Sequence, residues 1–217
     1  MNLEQARLNM VEQQIRPWDV MDSRVLGAVE DTPRHHFVTE SQQRLAYMDT
    51  TLPIGEGQKM MEPRLEARIL QSLDLQKNET VLEIGAGSGY LTALLCKLGA
   101  SVRSIELHES LTEQAKERLT SEGIGNFILE SGDALSENWN SNSNYDAIVL
   151  TGAVKEIPEK LKAMVNIGGR LIAVVENGGV KTTLLMTRFD EESWVTEPLF
   201  ETEVDNLVAP TNSQFTF

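Results

Sequence analysis

Val81 to Tyr90 reads V-L-E-I-G-A-G-S-G-Y. An apolar run ends with an acid inside it, three glycines alternate with small residues, and a helical pattern follows from Leu91 to Leu98. Gly85, Gly87 and Gly89 let the chain turn sharply and lie against a ligand where a Cβ would collide. Three familiar glycine-loop chemistries are excluded. A dinucleotide fingerprint, G-x-G-x-x-G, needs glycine at position 90, where Tyr90 stands. A phosphate-cradling P-loop ends in Gly-Lys-Ser/Thr, and no such ending follows. A nucleophile elbow, G-x-S-x-G, fails because Ala86 and Tyr90 flank Ser88.

Around this stretch the chain alternates short apolar runs with helical ones. Strands are expected at Thr80–Ile84, Ser101–Glu106, Asn126–Glu130, Tyr145–Leu150 and Arg170–Val175, with helices at Tyr90–Leu98, Glu109–Glu122 and Pro158–Asn166. Strand alternating with helix implies right-handed crossovers and a parallel sheet. After Gly178 only strands are expected, at Lys181–Arg188, Ser193–Phe200 and Glu203–Val208, adding antiparallel partners at one edge. Upstream, the apolar spacing from Leu3 to Ile15 predicts a helix that Pro17 stops. A second covers Ser23 to Val29, and a third begins at Pro63, while Tyr47 to Pro63 reads as a loop. The expected fold is α/β and Rossmann-like: a doubly wound, mostly parallel sheet with helices on both faces. Residues 1–75 form an N-terminal helical extension with a substrate loop, and residues 76–217 form the cofactor-binding domain.

Composition narrows the partners. A formal charge of −14 disfavours nucleic acid, since phosphate binding is driven by lysine and arginine. No run approaches the roughly 18 apolar residues of a membrane span, and the N-terminus lacks the apolar block of a secretory signal. The single cysteine, Cys96, can form no internal disulfide and suits a buried apolar position. A cytoplasmic protein, monomeric and without membrane contact, is the expectation. His35, His36 and His108 are scattered without ligand spacing and are assigned structural or surface roles; no metal constellation is expected.

The pattern E-x-G-x-G-x-G, from Glu83 to Gly89, resembles the loop of S-adenosylmethionine-dependent methyltransferases. In open α/β sheets a ligand lies beyond the carboxyl ends of the strands, where strand order reverses. Backbone N–H groups at Gly85–Gly89, with Ala86 and Ser88, can then hold the carboxylate of the donor's methionyl part at a helix N-terminus. Glu83 either meets the donor's ammonium or stabilises the turn. Glu106, ending the second strand about twenty residues past the glycines, can accept both ribose hydroxyls. Asp133, in S-G-D-A, can accept a bond from the adenine amine, or simply cap a turn. Leu107 and Ala134 flank these two acids. Thr151, after Y-D-A-I-V-L, stands beside the expected reacting methyl.

Over nearly its whole length the chain resembles the protein-L-isoaspartate O-methyltransferase family. The matching stretches are P-R-H-H-F-V (Pro33 to Val38), L-A-Y-M-D (Leu45 to Asp49), L-P-I-G-E-G-Q (Leu52 to Gln58), the glycine loop, E-I-P (Glu156 to Pro158) and G-G-R-L (Gly168 to Leu171). The resemblance implies S-adenosylmethionine as cofactor and isoaspartyl residues of damaged proteins as acceptors. The family's Thr-Ile-Ser-x-Pro segment is replaced here by Lys59, Met60, Met61, Glu62 and Pro63. Met61 thus holds the place of the serine expected to engage the acceptor carboxylate, and a thioether cannot donate. Lys59 offers an ammonium instead, so Lys59, Met61 and Thr151 are the candidates at the acceptor end. The usual Val-Pro-Leu near the last strand appears only as L-V-A-P, Leu207 to Pro210. A small-molecule acceptor and a cofactor-binding protein without transfer activity remain as alternatives.

Overall fold

The computed structural model describes residues 2–99 and 101–208, so Ala209 and Pro210 of the L-V-A-P stretch lie outside the described residues. Helix α1 (Leu3–Met10) is capped by the Asn2 side chain and runs through a π turn at Val11–Ile15 into a 3-10 turn at Arg16–Trp18. Pro17 ends it there, since proline clashes with the preceding helical turn. Helix α2 (Ser23–Glu30) starts on an Asp22 cap, and α3 (Pro63–Leu73) carries Pro63 in its first turn. Between them the expected loop holds a hairpin, β1 (Leu52–Gly55) with β2 (Gln58–Met60). Its two-residue turn, Glu56–Gly57, has both φ angles positive, the geometry that matches strand twist in a tight hairpin.

The main sheet contains β3 (Thr80–Ile84), β4 (Ser101–Glu106), β5 (Phe127–Ser131), β6 (Tyr145–Val154), β7 (Val165–Asn177), β8 (Val180–Arg188) and β9 (Trp194–Glu201). Their order is β5-β4-β3-β6-β7-β8-β9. Pairs from β5 through β7 are parallel; β8 and β9 add antiparallel. The chain steps outward from β3 to β5 and returns to β6 on the other side of β3. The order therefore reverses between the carboxyl ends of β3 and β6, where such sheets bind ligands.

Alternation along the strands divides the core. Val81, Val102, Ala147 and Ile172 pack with α3, α4 (Tyr90–Leu98) and α5 (Glu109–Ser121) on one face. Met10 and Ile15 belong to the same cluster, so residues on both sides of position 75 share one core. The opposite face, with Leu82, Ile148 and Leu171, is covered by the short α6 (Glu159–Ala163), Tyr145 and Trp139.

Two expected elements differ. The helix expected over Pro158–Asn166 stops at Ala163, because Met164 O accepts from Tyr145 N at 2.8 Å and Val165 already pairs with Tyr145. The apolar residues there begin a strand. The strand expected at Glu203–Val208 is instead an extended strap with one bridge, Asn206 to Ala153. Among the described residues no helix is long and apolar enough to cross a membrane.

Candidate active site

A cleft of about 980 Å³, counted to its open mouth, lies at the reversal point. Its floor is the turn after β3, one wall is the β1–β2 hairpin, and the other is the strap at 204–208.

The turn is shaped by backbone strain only glycine tolerates. Gly85 has φ +95°, and a Cβ there would stand 2.3 Å from Thr151 Oγ1. The Thr151 hydroxyl is committed to strand ends, bonding to Gly85 O at 2.7 Å and Ile84 O at 3.0 Å. It ties the turn to β6, and its residue lines the cleft. Ala86, Gly87 and Ser88 line the floor beside Gly85; Gly89 sits just behind as the N-cap of α4. A helix N-terminus there supplies partial positive charge for an anion.

Glu106 ends β4 almost fully buried, with its carboxylate at the cleft. One oxygen accepts from Gly87 N at 2.9 Å and the other from His108 N at 3.0 Å. Leu107 and His108 continue the lining, and His108 Nε2 is buried without a partner among the described residues. Asp133 lines the cleft with Ala134; its Oδ1 accepts from Leu135 N and Ser136 N, both at 3.0 Å.

Glu83 requires a correction. Strand alternation puts it on the helix-covered face with Val81, where it is wholly buried and outside the cleft lining. It accepts from Thr92 Oγ1 of α4 at 2.5 Å and from Ser104 Oγ of β4 at 2.6 Å. Burial pushes its carboxyl up to about 7 against those two donors. Glu83 fastens α4 to β4 and lies outside the cleft lining.

At the acceptor end, Met60 and Met61 are buried while lining the cleft, and Lys59 between hairpin and solvent is half-exposed. Among the described residues Lys59 is the one ammonium or guanidinium in the lining, against the carboxyls Glu66, Glu106, Asp133 and Asp205. The hairpin is pinned over the turn: Ile54 Cδ1 lies 3.0 Å from where a Cβ on Gly87 would be. Ser110 Oγ donates to Glu56 Oε1 at 2.6 Å, and Gln42 Nε2 to Pro53 O at 2.7 Å.

The buried side of this end holds residues that sequence reading passed over. Arg34 is fully buried, donating to Glu66 and to the Met61 carbonyl and lying over the Tyr90 ring at 4.7 Å. Burial pushes the Glu66 carboxyl up to about 7, against the pull of Arg34. Arg34 lies in the quoted stretch P-R-H-H-F-V, where its neighbours Thr32, Pro33, His35 and His36 give no local sign of burial. His108, two residues past Glu106, had a positional signal; Asp205 had none.

These features fit a nucleoside with an aminoacyl tail. A glycine-rich cradle, a helix N-terminus for a carboxylate, a buried acceptor at the end of β4 and a half-buried one just past β5 match its functional groups. Comparisons with known proteins agree. The family model described as Protein-L-isoaspartate(D-aspartate) O-methyltransferase matches residues 5–205. A protein-L-isoaspartate O-methyltransferase of Syntrophus aciditrophicus (strain SB) is 40% identical over 189 residues, 87% of this chain and 86% of that one. Another, from Geobacter metallireducens, is 36% identical over 197 residues, 91% of each chain. A solved protein-L-isoaspartate O-methyltransferase superimposes with TM-score 0.82 at 27% identity, covering 94% of this chain and 66% of that one. A Plasmodium falciparum protein solved with S-adenosyl-L-homocysteine shares the fold, with TM-score 0.79 at 21% identity, covering 93% of this chain and 98% of that one. The chain belongs to the protein-L-isoaspartate(D-aspartate) O-methyltransferase family of S-adenosylmethionine-dependent enzymes.

Proposed function

We propose that this chain transfers a methyl group from S-adenosylmethionine to the carboxylate of isoaspartyl residues in damaged proteins. The observation that carries the reading is the cleft itself: a glycine turn and Glu106 at the strand-order reversal, with Lys59 as the cation at the acceptor end. Bound S-adenosylmethionine supplies an electrophilic methyl on a sulfonium. In this reading the Gly85–Gly89 turn, with Ala86, Ser88 and the N-terminus of α4, holds the methionyl carboxylate. Glu106 accepts from the ribose hydroxyls, while Leu107, Asp133 and Ala134 hold the adenine. Thr151 keeps Gly85 in place rather than touching the reacting atoms, and Lys59 pairs with the acceptor carboxylate.

A carboxylate is already ionised at neutral pH, so no general base is required. The protein's work is alignment and exclusion of water, which the pinned hairpin and buried Met60 and Met61 can supply. Those two methionines also favour a second reading, in which the acceptor is a small apolar molecule.

The test uses two peptides that differ only in an isoaspartyl or aspartyl linkage, with methyl-labelled donor. The isoaspartyl peptide should give a base-labile methyl ester, read as released methanol; the aspartyl peptide should give none. No turnover above background at high isoaspartyl peptide concentration rejects this acceptor, and a screen of phenols then examines the second reading.

A further inference from the structure

The cleft's two walls are joined across its mouth by one ion pair. Lys59 Nζ, on β2, lies 3.1 Å from Asp205 Oδ2 on the strap, and the two side chains are 47% and 56% exposed. The strap does not depend on that side chain. Ala153 N donates to Asp205 O and Leu207 N to Ala153 O, both at 2.9 Å. Gly152 allows this close docking, since a Cβ there would come within 3.0 Å of Asp205 O and Leu207 N. The Asp205 carboxylate is thus free to leave Lys59 while its backbone stays anchored.

Resting on the isoaspartyl reading above, we propose that Asp205 competes with the acceptor's carboxylate for Lys59. It is a positioning residue that sets acceptor affinity through an exchange of ion-pair partners. An ion pair this exposed is held weakly, so an incoming carboxylate displaces Asp205 easily. Glu66 is not an alternative partner, because Arg34 already holds it. Glu106 is engaged by Gly87 and His108, and Asp133 by the turn at Leu135 and Ser136.

The charge balance of methyl transfer completes the exchange. A carboxylate oxygen forms the new O–CH3 bond as the S–CH3 bond breaks, and that electron pair stays on sulfur. No proton moves. The acceptor changes from anion to neutral ester, which cannot hold Lys59 against Asp205. Asp205 then re-forms its pair, and the product loses its anchor.

The test compares wild type with Asp205→Asn, Asp205→Glu, Lys59→Met and the double variant Lys59→Met/Asp205→Asn. Each is assayed for KM and kcat with an isoaspartyl peptide, and for peptide affinity by calorimetry with S-adenosylhomocysteine bound. Asp205→Asn should lower KM and Kd roughly 2- to 5-fold, the size of an exposed ion pair that no longer has to break, with kcat little changed. Asp205→Glu should restore wild-type KM. Lys59→Met should raise KM roughly tenfold or more, as for a lost hydrogen bond to a charged group, and should abolish the Asp205→Asn effect. An Asp205→Asn variant with unchanged or raised KM, or with the same shift in the Lys59→Met background, overturns the exchange. If wild type shows no isoaspartyl-dependent turnover or binding, the acceptor assignment has failed and this proposal falls with it. Turnover with an unmoved KM defeats the exchange alone.

Discussion

Gly85→Ala tests whether the turn after β3 holds the donor through its backbone. The introduced Cβ would stand 2.3 Å from Thr151 Oγ1 and 3.2 Å from Leu207 Cδ2. A φ of +95° at a residue bearing a side chain costs about 1–3 kcal/mol. The Thr151 oxygen cannot retreat freely, because its one hydroxyl proton is shared between two carbonyls at 2.7 and 3.0 Å, an interaction worth about 1 kcal/mol. The turn therefore shifts, and must be pushed back when a ligand binds. If about 2–3 kcal/mol of this falls on binding, affinity for S-adenosylhomocysteine drops roughly 30- to 150-fold. Calorimetry on both proteins measures it, and thermal melting measures the remainder. Adding Thr151→Ala removes the close oxygen but leaves the φ penalty, so the double variant should recover only part of the affinity. A Gly85→Ala protein that binds within twofold of wild type and melts at the same temperature would mean that the turn does not hold the donor through its backbone.

Other perturbations follow from the buried charges. The Glu83 carboxyl is raised to about 7 in the folded protein against an ordinary 4.5, so the folded state keeps a proton that the unfolded chain loses. This group's contribution is fully present below pH 4.5 and is lost as pH rises through 7, a loss of about 3 kcal/mol. Urea denaturation at pH 5 and pH 8 should show Glu83→Gln escaping most of that decline. Arg34→Met strands the Glu66 carboxyl and the Met61 carbonyl, and should cost about 3–5 kcal/mol; adding Glu66→Met should restore much of it in the same urea assay. Met61→Ser deletes a buried side chain and should destabilise by about 2–4 kcal/mol, while its new hydroxyl lowers KM for an isoaspartyl peptide. An unchanged melting temperature would contradict the burial assigned to Met61.

Where local pattern and fold agreed, the sequence was readable. The strands at Thr80–Ile84 and Ser101–Glu106 and the helix at Tyr90–Leu98 lie where periodicity put them. Glu106 was legible because an acid at the end of a buried strand is costly to place without a partner. Glu83 misled for the opposite reason: its position beside the glycines suggested the cleft, but period-two alternation turned it under α4, where Thr92 and Ser104 meet it. The segment Tyr47–Pro63 read as loop because its glycines and prolines mask two short strands, of four and three residues, yet Glu56–Gly57 is a proper hairpin turn. Long-range pairs left no trace in local pattern. Lys59 with Asp205, and Arg34 with Glu66, meet only once the chain has folded.

A crystal structure with S-adenosylhomocysteine bound would show where the donor sits. Its amino-acid carboxylate should lie against the Gly85–Gly89 turn, its ribose hydroxyls on Glu106 and its adenine beside Asp133 and Leu107. A ligand bound elsewhere, or bound here without touching Glu106, would contradict this placement.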